Sequence, residues 1–242
     1  MIKLVTVLKR MAGMTRPEFE QRWLNVHAPM AAKFPNLRGY VLSFSIEEGD
    51  PEADGVAQLW FDDRLSAQHS YASDIGRNGS ADARRYLARR DHLLVSERWV
   101  SGPGDASAQP FKFLLGLKRP TNESRPSFVA RMAEVPVDAL LSELQSEVVR
   151  VCVDEAGLQL NSGVSGELEL FENEAVFDGM LEAWYPDADT LRRAATHFMA
   201  TATCTTLIAG GRHEVILLRE NVVVPPPEHV QPSRLLSGMK AQ

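Results

Sequence analysis

The chain has 242 residues, with 26 Lys and Arg against 32 Asp and Glu, a formal net charge of −6. The basic residues are scattered rather than striped, which gives a phosphate backbone no footprint and argues against a nucleic-acid partner. Hydrophobic residues at 44% and charged residues at 24% are ordinary for a globular chain with a real core, and the short apolar run before Lys9 and Arg10 is too brief for a signal-peptide core or a membrane span. A cytoplasmic protein without a membrane segment is the expectation.

In chain order, "IKLVTVLK" is β-branched and predicts a buried strand. A helix start follows at once, because Thr15-Arg16-Pro17-Glu18 fits a capping box with proline in the first turn. At 100° per residue, Phe19, Trp23, Val26 and Met30 share a narrow arc, and His27 lies one position round from it. Pro29 cannot donate to the carbonyl of Asn25 and its ring crowds that carbonyl, so the helix should kink or end there.

Tyr40, Leu42, Phe44 and Ile46 then alternate with smaller or polar residues, the period of a second strand. "EEGDPEADG" reads as a loop and "VAQLWF" as a third strand. A helical region from Asp62 to Arg90 looks interrupted near Gly76 to Gly79, with Asp63 and Arg64 at its capped start. "DHLLVSERWV" supplies the fourth strand. The order β-α-β-β-α-β is that of a ferredoxin-like unit, a four-stranded antiparallel sheet with both helices on one face.

The chain repeats itself. "LKRMAGMTRPEF" (Leu8 to Phe19) aligns on "LKRPTNESRPSF" (Leu117 to Phe128) at an offset of 109 residues, "LWFDD" echoes "AWYPD" at 124, and "HLLVSER" echoes "HEVILLR" at 121. Between the copies, "SGPGDASAQP" has a linker's composition. The expected organisation is a first unit over 1–101, a linker over 102–110, and a degenerate second unit over 111–220 with an insertion near 155–177. A tail over 221–242 follows, with three consecutive prolines. Apolar residues on both strand faces call for a second sheet over the first. The fold class is therefore α+β: two tandem βαββαβ units whose antiparallel sheets pack face to face within one chain, a pseudo-dimer that could still form a homodimer.

His27 has two readings from its surroundings. It could hydrogen-bond a carbonyl freed at the kink, or, between a helix end that favours its charged form and burial that opposes it, titrate near neutrality as a proton donor or acceptor. Tyr40, Phe44 and Trp60 could wall a pocket beside it or simply fill the core. His69 and Tyr71 point to different sides of a helix, so at most one faces a pocket. Cys152 and Cys204 lack any paired spacing and read as buried thiols.

The pattern "LKRMAGMTRPEFEQRWLNVHAPMAAKFPNLRGYV", with Trp23, His27, Pro29, Pro35, Leu37 and Tyr40 at these spacings, resembles the EthD family of the dimeric α+β barrel superfamily over residues 1 to about 100. The second half resembles it weakly: Met132, Pro136 and Asp138 stand where the 109-residue offset would place counterparts of Trp23, His27 and Pro29. The resemblance implies a barrel of two sheets and a catabolic or biosynthetic setting. Members of the superfamily include isomerases, cyclases, cofactor-free monooxygenases and haem proteins, so the likeness does not choose a reaction.

No zinc spacing, P-loop, G-x-G-x-x-G after a strand, G-x-S-x-G or H-E-x-x-H occurs, and neither a metal nor another cofactor is expected. A single histidine suffices as a haem ligand, so haem stays open. The leading expectation is a cofactor-independent isomerase, dehydratase or decarboxylase acting on a small apolar or aromatic oxygenated molecule. In it His27 is the general acid or base, Tyr40 orients an oxygen, and Trp23, Phe44, Trp60 and His69 contact the substrate. The alternatives are an oxidoreductase using haem or oxygen directly, and a non-catalytic ligand-binding protein of an oxygenase pathway.

Overall fold

The computed structural model describes residues 1–101, 109–153, 159–162, 168–171 and 176–227. The first half runs β1 (Ile2–Arg10), α1 (Arg16–Arg22), a π-helical turn (Trp23–His27), α2 (Ala28–Ala31), β2 (Leu37–Ser45), β3 (Gly55–Phe61), α3 (Arg64–Ala72), α4 (Asp74–Ala83) and β4 (Leu87–Trp99). The second runs β5 (Phe111–Lys118), α5 (Arg125–Glu134), α6 (Val137–Leu144), β6 (Val149–Val153), β7 (Gln159–Ser162), β8 (Leu168–Phe171), β9 (Gly179–Tyr185), α7 (Ala188–Met199), α8 (Ala202–Ile208) and β10 (Arg212–Val224).

Each half is an antiparallel sheet, ordered β4-β1-β3-β2 and β10-β5-β9-β6. The sheets face each other and also join at their edges, β2 with β10 and β4 with β6. The result is a closed eight-stranded barrel made by one chain. Closure pairs the edge strands that two separate sheets would leave open.

Two local expectations are corrected, and part of the insertion, left open by the sequence, is described. The insertion contains a β7–β8 hairpin, attached where β7 pairs with His92 and Leu93 of β4. Val222 and Val224 continue β10 and pair with Val41 and Tyr40 of β2, so the strand runs past Asn221. The helical region breaks at Ser73, whose hydroxyl caps α4, and not at Gly76 to Gly79. Gly76 is needed there for close approach: a Cβ would lie 2.3 Å from the Ser70 carbonyl oxygen. Residues 102–108 of the expected linker and 228–242 of the tail lie outside the described residues.

Strand alternation sorts side chains into the barrel lumen and the two outer faces. Leu4, Leu42, Phe44 and Phe61 pack outward beneath α1 to α4 with Phe19 and Trp23. Phe113, Leu115, Leu181 and Tyr185 do so beneath α5 to α8 with Phe128 and Phe198. Val5, Val7, Val56, Leu114, Met180 and Phe177 fill part of the lumen.

The rest of the lumen holds a buried charge network. Lys3 contacts Glu182 at 2.9 Å and Glu97 at 3.2 Å, Lys112 contacts Glu220 at 2.6 Å and Glu182 at 3.3 Å, and Arg150 contacts Glu182 at 2.8 Å and Glu97 at 3.0 Å. Three cations (Lys3, Lys112, Arg150) thus meet three carboxylates (Glu97, Glu182, Glu220), and the cluster is neutral. Burial opposes ionisation of Glu182, but Arg150, Lys3 and Lys112 together hold its carboxyl well below the usual range. The Arg150 guanidinium lies over Trp99 and Trp184 at 4.7 and 4.8 Å from their ring centres, which offsets part of its desolvation. Cys152 sits among these charges, where burial first of all pushes its thiol up to about 12, so it stays protonated and inert.

Candidate functional site

Pro29 shapes the site. A regular helix would require a hydrogen bond it cannot donate and would press its ring on a carbonyl. The chain widens instead: the Ala28 N–H donates to the Trp23 carbonyl five residues back. The helix then resumes as α2, with Pro29 in its first turn. The expected kink is thus a π-turn, a feature concentrated at functional sites.

One extra residue in the turn moves the inward stripe by one position. Regular periodicity turns Val26 and Met30 inward, yet Val26 is 46% exposed, while Ala31 is buried and the His27 side chain retains only 14% exposure. The π-turn therefore carries His27 from the rim to the inner side.

There, His27 Nδ1 lies 3.2 Å from Asp82 Oδ2 of α4, and Asp82 also pairs with Arg22. This differs from the carbonyl bond considered above. Burial lowers the imidazole's pKa, Asp82 raises it, and Arg90 and Arg22 lower it, with a net fall below the ordinary value. The ring is neutral at pH 7. A carboxylate only accepts, so Nδ1 carries the proton and Nε2 is left as an acceptor, with no partner among the described residues.

Tyr40, on the outer face of β2, accepts a hydrogen bond from Trp23 Nε1 at 3.1 Å, leaving its own O–H to donate. Burial raises its pKa, so the phenol stays protonated. Trp23 is held by Phe19 and Phe44, with ring centres 5.4 and 5.2 Å away, and rests against the backbone of Gly55, where a Cβ would come 2.5 Å from the indole. Across the space, Thr6 Oγ1 and His92 Nδ1 are 2.8 Å apart. Burial, then Arg90, pushes His92 down to about 3.

These groups enclose a partly open cavity of about 50 Å³ between the first sheet and its helices, with Phe34, Tyr71, Ser80, Tyr86 and Arg90 completing the wall. That is room for roughly three to five waters. It does not fit a haem macrocycle, and no haem step is assigned. Among the described residues no group of three or more His, Cys, Asp or Glu side chains is placed to hold a metal ion, and no helix is long and apolar enough to cross a membrane.

Of the residues expected at a site, His27, Tyr40 and Trp23 line this cavity together. Phe44 stands behind Trp23. Trp60 lies elsewhere, because alternation along β3 gives Leu59 to the cavity and turns Trp60 into the lumen, where its indole donates to Glu97. His69 is exposed on α3, and Tyr71 takes the inward position. Neither Trp60 nor His69, expected to contact the substrate, lines this cavity. Asp82, His92, Tyr86 and Arg90 were missed. His92 and Arg90 were within reach of strand parity, since they share β4's outer face with Leu94; Asp82 was not, because its partner is 55 residues away.

A closed barrel of two βαββαβ units, with a helix-covered cavity on one sheet, defines a dimeric α+β barrel protein whose two halves come from one chain as a tandem repeat. More specifically, residues 11–90 match the EthD domain. A protein of Rhodococcus erythropolis, described as an uncharacterized 11.0 kDa protein in the thcB-thcC intergenic region, is 26% identical over 81 residues, covering 33% of this chain and 79% of that one. An anthrone oxidase-like protein of known crystal structure superposes over 95% of this chain and 96% of its own, with a TM-score of 0.61 and 6% identity, a likeness of fold. An ethyl tert-butyl ether d (ethd) family protein from Bacillus halodurans has 22% identity and a TM-score of 0.36, over 39% of this chain and 95% of that one.

Proposed function

We propose that the chain is a cofactor-independent enzyme of the isomerase, dehydratase or decarboxylase type, using proton transfer in the first-half cavity on a small oxygenated molecule. The observation that carries this reading is the buried His27–Asp82 pair beside a phenol-lined space. Neutral His27 takes a proton from carbon next to a carbonyl through Nε2, Asp82 stabilises the imidazolium that forms, and the Tyr40 O–H donates to the oxygen that gains charge. Return of the proton from His27 to another atom of the substrate completes an isomerisation without an external oxidant or reductant.

The test needs no prior substrate. Small ketones, lactones and keto acids are incubated in D₂O with the protein, and deuterium uptake at carbon is followed by NMR. Enzyme-dependent uptake should fall by about 10²- to 10⁴-fold in His27→Gln and rise with pH to a plateau, its midpoint below the ordinary histidine value of about 6.5. Equal uptake by the folded variant and the parent protein would remove His27 from the chemistry. Saturable binding without exchange would favour the ligand-binding alternative.

A further inference from the structure

Resting on that reading of the cavity, we infer that its ligand is an anion, a small carboxylate held at the cavity wall by Arg90, which makes Arg90 a specificity-determining residue. Arg90 sits on the outer face of β4, opposite Leu8 of β1, and is half-buried at the cavity. Among the described residues it forms no ion pair. By contrast, Arg22 meets Asp82, and Lys3, Lys112 and Arg150 meet the three lumen glutamates. A guanidinium cannot shed its charge, so one kept half out of water without a counterion leaves its donors for something that enters.

The hydroxyls around it point the same way. Tyr86 Oη and Ser80 Oγ line the cavity, are buried, and have no hydrogen-bond partner among the described residues. Tyr40 has its O–H to give. Asp82 is already engaged by Arg22 and His27. Donors thus outnumber acceptors, and buried donors without acceptors are costly. A ligand rich in oxygen acceptors satisfies them, and a carboxylate matches the planar fork of Arg90 with two parallel hydrogen bonds. The small volume limits the buried part of the ligand to a few heavy atoms.

The probes are isobutyrate and isobutyramide, which share shape and differ in charge, titrated at constant chloride while the imidazole C–H signals of His27 and His92 are followed by NMR. Isobutyrate should bind the parent protein at least about tenfold more tightly than isobutyramide. Arg90→Gln should erase that preference, Arg90→Lys should keep part of it, and His27→Gln should keep it, read at His92. Unchanged thermal midpoints will show that the variants are folded. Equal binding of the two probes, or a preference that survives Arg90→Gln, overturns the anion site while leaving the cavity as a ligand site. No perturbation of either histidine by either probe overturns both.

Discussion

Thr6 of β1 faces His92 of β4 in the first half, and at the same register of the second half Leu115 of β5 faces Val215 of β10. On the neighbouring strand Ala57 opposes Thr6, whereas Leu181 opposes Leu115. The second half thus fills with hydrocarbon the space that the first half leaves open and lines with donors. The helix above follows suit. Trp23 and His27 sit on the π-turn, while the corresponding stretch after Met132 breaks at Val135 and Pro136 and restarts as α6, which brings in Leu140 and Leu144. One copy has kept a cavity and the other has become a packed wall. A closed barrel needs both sheets, but only the first keeps the cavity.

In the lumen the halves stay closer to symmetry. Lys3 and Lys112 correspond, as do Trp60 and Trp184, whose indoles donate to Glu97 and Glu220. The symmetry fails at Gln58, whose counterpart is Glu182, and at Arg150, whose counterpart by register is Val41. The extra carboxylate and the extra guanidinium arrive together, which is why the cluster stays neutral.

The comparison can be broken most severely in the lumen. Glu182→Leu leaves three buried cations with two carboxylates and should cost about 3–5 kcal/mol in chemical denaturation. Gln58→Leu, at the equivalent position, leaves the charges balanced but removes its bonds to Glu182 and Lys112, and should cost less, about 1–3 kcal/mol. Equal losses would mean that charge balance is not what the network supplies.

Exchanging the outer-face residues is the next test. Leu181→Ala opens a cavity in the packed half and should cost about 2–5 kcal/mol. Ala57→Leu grows into existing space, so stability should move by less than about 1 kcal/mol, while ligand-induced shifts of the His27 signal disappear. A cost for Ala57→Leu as large as that of Leu181→Ala would show that the first-half space is smaller than it looks.

The last test is in pH dependence, where the readout is a slope rather than a single loss. The folded pKa of His92, about 3, lies below the unfolded value of about 6.5, so the unfolded chain binds the proton first on acidification. Stability from this group is complete above pH 6.5 and falls towards pH 3, at up to about 1.4 kcal/mol per pH unit. His27, also depressed, acts in the same direction. Copying the second half's pair, Thr6→Leu with His92→Val, should flatten the stability profile between about pH 6.5 and 4.5, before ordinary carboxylates titrate. An unaltered slope would place the acid sensitivity elsewhere.

Alternation, capping and self-similarity were enough to read two βαββαβ units, the Thr15 cap, and His27 with Tyr40 and Trp23 as neighbours, because each depends on residues close in the chain or on a repeat that is visible in it. The rest was settled by distance in space. The pairing of β2 with β10 and β4 with β6 joins strands far apart in sequence, and Asp82 meets His27 only after α4 packs against the π-turn. A single proline added one residue to a helical turn and so reassigned which side chains face inward, an outcome that regular 100° periodicity does not contain. Burial, the pairing of charges and the donors left without acceptors are properties of the assembled barrel, since they arise from which distant groups exclude water from one another.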